Sequence, residues 1–251
     1  MDNRPIGVFD TGVGGISVLK VLNKIMPHEC FFYYGDTKNA PYGERAEEDI
    51  RRLTLSAANH LMDKKIKALV IACNTATSAA AETLRAQLNI PVVGMEPALK
   101  PAACEHTTGK ILVMATSATL RQKKFLRLME IYGKDALLVS CPGLMEFAER
   151  GELNSAALNA YLTERFAPYR HEDVDAIVLG CTHYVFLKQA IGAQWPGTPL
   201  FDGNTGTARR LQSLLSRADA FREGSGEVIF ESSDPQALPV MQRMFALGDE
   251  E

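Results

Sequence analysis

The sequence has no run of about 20 apolar residues, so no helical membrane span is expected. It has no low-complexity segment and no strong charge of either sign. Its 27 Lys+Arg stand against 30 Asp+Glu, a net charge of −3, so no bulk basic field exists for nucleic acid. No CxxC occurs, and the five cysteines at 30, 73, 104, 141 and 181 are odd in number and widely spaced. A disulfide framework and a structural zinc knuckle are therefore not expected. The opening MDNRPIGVFDTG lacks the apolar core of a signal peptide. The glycines after the first apolar run fall at 12, 14 and 15, which is not GxGxxG, and GxxxxGK[ST] is absent. What remains is a reduced, cytoplasmic, globular protein of 251 residues, 46% hydrophobic and 23% charged. That is chain enough for one large domain or two small ones with real cores.

What is present is an alternation of short apolar runs and longer amphipathic stretches. The runs are IGVF (6–9), CFFYY (30–34), ALVIA (68–72), PVVG (91–94), ILVMA (111–115), ALLVS (136–140), AIVLG (176–180), PLFD (199–202) and EVIFE (227–231). Most are hydrophobic throughout, as parallel strands covered on both faces must be. Helical spacing is expected over 15–26, with Ile16, Leu19, Leu22 and Met26 on one side, and over 44–64, with Ile50, Leu53, Ala57 and Leu61. This alternation predicts an α/β fold with mainly parallel sheets. Prolines interrupt the pattern at GMEPALKPA (94–102), and DGNTGT (202–207) offers a return point, so the chain is expected to cross into a second domain and come back. ALVIACNTAT (68–77) and AIVLGCTHYV (176–185) echo one another as apolar strand, cysteine, threonine and helix, as two similar halves would. The tail GDEE (248–251) is expected to fray.

In open α/β sheets ligands bind beyond the carboxyl ends of the strands. The polar residues found there are Asp10-Thr11-Gly12, Gly35-Asp36, Pro41-Tyr42-Gly43, Cys73-Asn74-Thr75, Thr116 to Thr119, Cys141-Pro142 and Cys181-Thr182-His183. The glycine segment reads as a tight turn, or as backbone N–H groups facing a small anion with Asp10 as a base or ammonium partner. A cysteine ending a buried strand is more often inert core than reactive. Cys73 and Cys181 differ because each is expected at a helix start, where the positive dipole end favours thiolate, with hydroxyl and amide groups beside it. Two such thiols suit a redox pair, a metal site completed by His183, or acid–base chemistry on opposite faces of one carbon. Spacing leaves these three open. Cys30 and Cys104 read as structural, within a strand and a helix, and Cys141 is given no chemistry.

At these residues the sequence resembles the cofactor-independent aspartate/glutamate racemase superfamily, and within it the glutamate racemases. The matching segments are GVFDTGVGG (7–15), YGDTKNAPYG (34–43), ACNTAT (72–77), PVVGMEPA (91–98), ATSAT (115–119) and LGCTH (179–183). His183 favours the glutamate over the aspartate branch, which usually has Glu there. The resemblance implies interconversion of L- and D-glutamate without cofactor or metal, with D-glutamate supplying peptidoglycan. Cys73 is implied as the base on D-glutamate and Cys181 as the base on L-glutamate. Asp10 and His183 are implied as auxiliary acid–base groups, with Glu149 in support near His183. The implied substrate contacts are Asp10, Thr11, Tyr42, Gly43, Asn74, Thr75, Thr116, Thr119, Thr182 and His183. Thr11 stands where serine is common, and CPGLMEF (141–147) departs from the usual aromatic–aliphatic run.

The fold implied is a pair of pseudo-symmetric Rossmann-like or flavodoxin-like α/β domains, with the active site in the cleft between them. Residues 1–97 plus 207–251 carry Cys73, and 98–206 carry Cys181. A homodimer with no membrane or nucleic-acid partner is implied as well. The alternatives are a racemase of aspartate or another amino acid, and a non-catalytic amino-acid-binding protein.

Overall fold

The computed structural model describes residues 1–105 and 108–247; the acidic tail 248–251 lies outside the described residues. Nine strands are described: β1 (Ile6–Asp10), β2 (Cys30–Gly35), β3 (Ala68–Ile71), β4 (Val92–Gly94), β5 (Lys110–Ala115), β6 (Ala136–Ser140), β7 (Val174–Leu179), β8 (Leu200–Phe201) and β9 (Glu227–Ser232). They form two sheets, ordered β4-β3-β1-β2-β9 and β6-β5-β7-β8. Every pairing is parallel. The apolar runs therefore became strands as expected, and EVIFE became the edge strand beyond β2.

The two orders are one topology. Read from its outer strand, the first sheet runs β4-β3-β1-β2 and the second β8-β7-β5-β6, with β9 added to the first alone. The echo seen in the sequence falls on equivalent strands, β3 and β7, each paired with the first strand of its half.

The helices are α1 (Ile16–Ile25), α2 (Glu47–Asp63), α3 (Asn74–Gln87), α4 (Leu99–Glu105), α5 (Ser117–Arg121), α6 (Lys123–Tyr132), α7 (Leu144–Glu149), α8 (Ala156–Phe166), α9 (Lys188–Gly192), α10 (Asn204–Arg217) and α11 (Leu238–Ala246). They cover both faces of each sheet. On the first, Val8, Phe31, Tyr33 and Val70 pack with Leu19 and Leu22 of α1 and Leu211 of α10. Phe9, Leu69 and Ile71 pack on the other face with Leu61 of α2 and Leu84 of α3. The second sheet divides likewise, Leu112 and Ile177 meeting Leu158 and Leu162 of α8, Val113 and Val178 meeting Leu99 of α4 and Phe125 of α6. Each such side chain contributes about 1.5–3 kcal/mol on burial, which is why the runs tolerate almost no polar residue.

Some boundaries moved. The second helix starts at Glu47 rather than 44, where Ala46 is extended and the acidic Glu47, Glu48 and Asp49 occupy the positive first turn. After Cys181 the chain forms a 3-10 turn, Thr182–Leu187, before α9 begins. Cys104 does lie in α4 but is exposed, so it has no packing role, whereas Cys30 is buried.

Candidate active site

In this strand order the polarity of the connections reverses between the first and third strands of each half, and the crevice above that switch point is where ligands sit. Asp10 ends β1 and Cys73 follows β3; Thr116 follows β5 and Cys181 follows β7. The same two positions of each half thus carry the residues singled out in the sequence. The halves meet over these ends. Thr182 Oγ1 donates to Asp10 Oδ2 at 3.1 Å, and Ser17 Oγ reaches the Thr182 carbonyl at 3.3 Å. The Ala118 N–H donates to the Gly43 carbonyl at 3.0 Å.

Cys181 has a proton partner in contact. Its Sγ lies 3.7 Å from His183 Nδ1, and His183 Nε2 lies 2.6 Å from Glu149 Oε1. Glu149 Oε1 also accepts the Val13 N–H at 3.0 Å. Burial pulls His183 down, but its hydrogen bonds to Cys181 and Glu149 outweigh burial and hold the imidazole well above its ordinary range. Burial works against the Glu149 carboxylate too, yet the His183 contact and the Val13 N–H keep it below the usual range. Gly143, with φ of +75°, is what lets the unusual CPGLMEF segment turn into α7 and deliver Glu149 at its last residue.

The glycine segment is where Glu149 and His183 land. A Cβ on Gly12 would overlap the Glu149 carboxylate, and one on Gly14 would overlap the His183 ring and the Thr182 hydroxyl. The segment does present an N–H to an anion, as its composition suggested, but that anion is the protein's own Glu149. The glycines serve close approach between halves.

Cys73 is placed alike and surrounded differently. It caps α3 and accepts the Ala76 N–H at 3.5 Å. Burial pushes its thiol up strongly, and neighbouring Asp10 adds to that; the helix N–H groups pull the other way and lose. The eased ionisation expected from a helix start is therefore overturned for Cys73 by burial. For Cys181 that expectation meets a 3-10 turn with no side-chain cap in place of an α-helix. Asp10 is fully buried, accepts the Gly12 N–H at 3.0 Å, and is raised by burial despite the nearby His183.

The remaining candidates form a polar lining. Thr75 Oγ1 lies 3.1 Å from Thr116 Oγ1 and 3.0 Å from Thr119 Oγ1, a hydroxyl triangle built from both halves. Asn74 is buried with its Oδ1 unpartnered, and Thr11 is buried beside Asp10. Tyr42 gives its hydroxyl to Asp36 at 2.7 Å, so it can offer the cleft only its main chain, along with Gly43. A narrow opening of about 20 Å³ lies between Pro41, Gly43 and Glu44 on one side and Thr116, Cys141 and Tyr184 on the other. Cys141 itself is buried, and burial pushes its thiol up to about 12.

All five cysteines are free, so Cys73 and Cys181 are not joined. Nor do Cys73, Cys181 and His183 gather into a metal-holding group; among the described residues none does. Two contributors, Gln122 and Tyr33, escaped the sequence reading, and a third, Asp36, stood in the strand-end layer without a role assigned to it. Asp36 anchors Tyr42 and Asn39. Gln122 donates across the halves to the Thr75 carbonyl at 3.2 Å. Tyr33 donates to the Gly12 carbonyl at 2.6 Å. Gln122 and Tyr33 carried no signal in the sequence.

The model of the Asp/Glu/Hydantoin racemase family matches residues 7–211. The chain belongs to this family. Among its relatives in the family, the glutamate racemase of Clostridium acetobutylicum is 46% identical over 252 residues, 98% of each chain. The family structure of glutamate racemase from Thermus thermophilus, in complex with β-chloro-D-alanine, superposes with a TM-score of 0.81 at 35% identity, covering 97% of this chain and 94% of that one. Escherichia coli glutamate racemase, in complex with L-glutamate and an activator, gives 0.85 at 30% identity, covering 96% and 95%.

Proposed function

We propose that this protein is an isomerase that interconverts L- and D-glutamate without a cofactor, supplying D-glutamate for peptidoglycan. The observation that carries this reading is the placement of two free, buried thiols at equivalent switch points of two like halves that meet face to face. A racemase needs a proton donor and acceptor on each side of the α-carbon, and one residue type able to do either serves both directions. Cys73 takes the α-proton of D-glutamate while the Cys181 thiol returns one to the opposite face; for L-glutamate the roles reverse.

Asp10 and His183 are the auxiliary groups, and Glu149 holds His183. The substrate ammonium belongs beside Asp10 and Asn74, which offer acceptors, and the carboxylates belong with the hydroxyls of Thr11, Thr75, Thr116, Thr119 and Thr182, the Gly43 main chain and helix-start N–H groups. Neutral donors hold a carboxylate without a deep ion pair. Enclosure between the halves keeps water from the carbanion-like intermediate.

The division is 1–97 plus 207–251 against 98–206. The protein works in the cytoplasm as a homodimer, with no membrane or nucleic-acid partner. No helix among the described residues is long and apolar enough to cross a membrane.

Circular dichroism of either glutamate enantiomer incubated with the purified protein, no cofactor added, should decay to zero. A stable signal sinks the reading. A marked preference for aspartate in the same assay moves the protein to the sister activity.

A further inference from the structure

Tyr33 lies inside β2, fully buried among Phe31, Val8 and Val70, where an apolar ring alone would satisfy the packing. A buried hydroxyl there is costly unless bonded. It donates at 2.6 Å to the Gly12 carbonyl, and the Gly15 N–H faces its oxygen. That carbonyl and the Val13 N–H belong to one planar peptide group and point opposite ways. The N–H end donates to Glu149 Oε1 at 3.0 Å. The same oxygen faces His183 Nε2 at 2.6 Å, and His183 Nδ1 faces Cys181. We propose that Tyr33 is a positioning residue for the Cys181 side of the site, acting through the Gly12–Val13 peptide, Glu149 and His183. This rests on the two-thiol reading above.

The physics is that of a hydrogen-bonded chain. A donor on the carbonyl polarises the peptide and strengthens its N–H as a donor at the far end. It also pins the rotation of a peptide that follows Gly12, whose backbone is otherwise soft. Glu149 is thereby held at the orientation that grips His183, although it belongs to the other half. The charged and titratable groups facing His183 are Cys181 on its own segment, Glu149 from α7 and Asp10 from β1. Loss of the Tyr33 hydroxyl weakens the Glu149 grip, so the imidazolium is less favoured and His183 titrates at lower pH.

The test is Tyr33→Phe, which keeps the ring. Two readouts are needed. Ring ¹⁵N shifts of His183 titrated by NMR report the chain of bonds without any turnover, and should show a lower midpoint in the variant. Racemisation kinetics should show kcat reduced about tenfold, the worth of one such bond, with KM nearly unchanged. In a Glu149→Ala background, where no acceptor is left to link Val13 to His183, the same change should cost little more; independent, fully multiplicative losses overturn the proposal, as does an unmoved His183 midpoint. Should Tyr33→Phe fail to fold, 3-fluorotyrosine at position 33 keeps the hydroxyl and makes it a stronger donor. The His183 midpoint should then rise, and an unmoved midpoint overturns the proposal equally. Failure of the underlying reading looks different: near-normal racemisation by Cys181→Ser, whatever the NMR shows for Tyr33.

Discussion

Cys73 and Cys181 occupy the same place in two copies of one topology, are equally buried at 8% exposure, and differ in almost everything else. Cys181 touches an imidazole whose charged form is favoured by Glu149, itself held by the main chain of the opposite half. Cys73 has a carboxylate for a neighbour and is driven toward the neutral thiol by burial and by that charge. On the function proposed above, the positive partner for Cys73 arrives with the substrate, as the ammonium placed beside Asp10. A repeated fold thus supplies matched positions, while each half surrounds its own thiol with a different charge, Asp10 beside Cys73 and His183 with Glu149 beside Cys181. Enantiomers have equal free energy, so kcat/KM must be the same in both directions. The asymmetry has to cancel there and reappear in kcat and KM taken separately.

The largest effect should come from the thiols. Cys73→Ser and Cys181→Ser should each lose racemisation by about a thousandfold or more, read by circular dichroism. In D₂O, Cys181→Ser should still exchange the α-proton of D-glutamate, and Cys73→Ser that of L-glutamate. Equal exchange of both enantiomers by both variants would erase the distinction between the two sides.

Next come the auxiliary groups, which should separate the sides further. Glu149→Gln should reduce kcat about 10- to 100-fold and move the limb governed by His183 to lower pH, since an amide cannot favour the imidazolium. Asp10→Asn should act on the other thiol. Removing that charge should lower the pH at which Cys73 ionises, seen as thiolate absorbance in a Cys181→Ser background, while weakening substrate binding. No change in thiolate titration would mean Asp10 does not set the Cys73 side.

The smallest effect is on stability. His183 is raised in the fold, so its contribution is fully present below the ordinary imidazole pKa of about 6.5 and fades as pH rises through the higher folded value. His183→Asn should therefore flatten the alkaline side of the Tm–pH profile and leave Tm at pH 9 least changed relative to wild type. A loss of Tm that is uniform across pH would assign His183 a packing role only.

Much of this was legible because parallel strands must be apolar throughout. IGVF, ALVIA, ILVMA and AIVLG could be read as strands, and the polar residues right after them as the ligand layer. The echo between 68–77 and 176–185 located two equivalent strands before any topology was known. Asp36 stood in the same layer, and only its grip on Tyr42 had to wait for the structure. Tyr33 could not, because within CFFYY its hydroxyl looks like one more core ring; its partner is a carbonyl 21 residues away in sequence. Gln122 likewise has meaning only once Thr75 is brought to it. The helix expected after Cys181 tightened into a 3-10 turn as the chain packed Tyr184 and Leu187 into the core.

By itself the sequence determined the alternating α/β plan, the two thiols and the residues beside them, because burial on both sheet faces and strand-end chemistry are local in the chain. Only the tertiary structure decided which group faces which. Glu149 reaches Val13 across 136 residues, and Thr182 reaches Asp10 across 172. Those contacts close the two halves over the thiols and fix Asp10 beside one and the Glu149–His183 pair beside the other. Through them two similar segments, ACNTAT and GCTH, became chemically unlike.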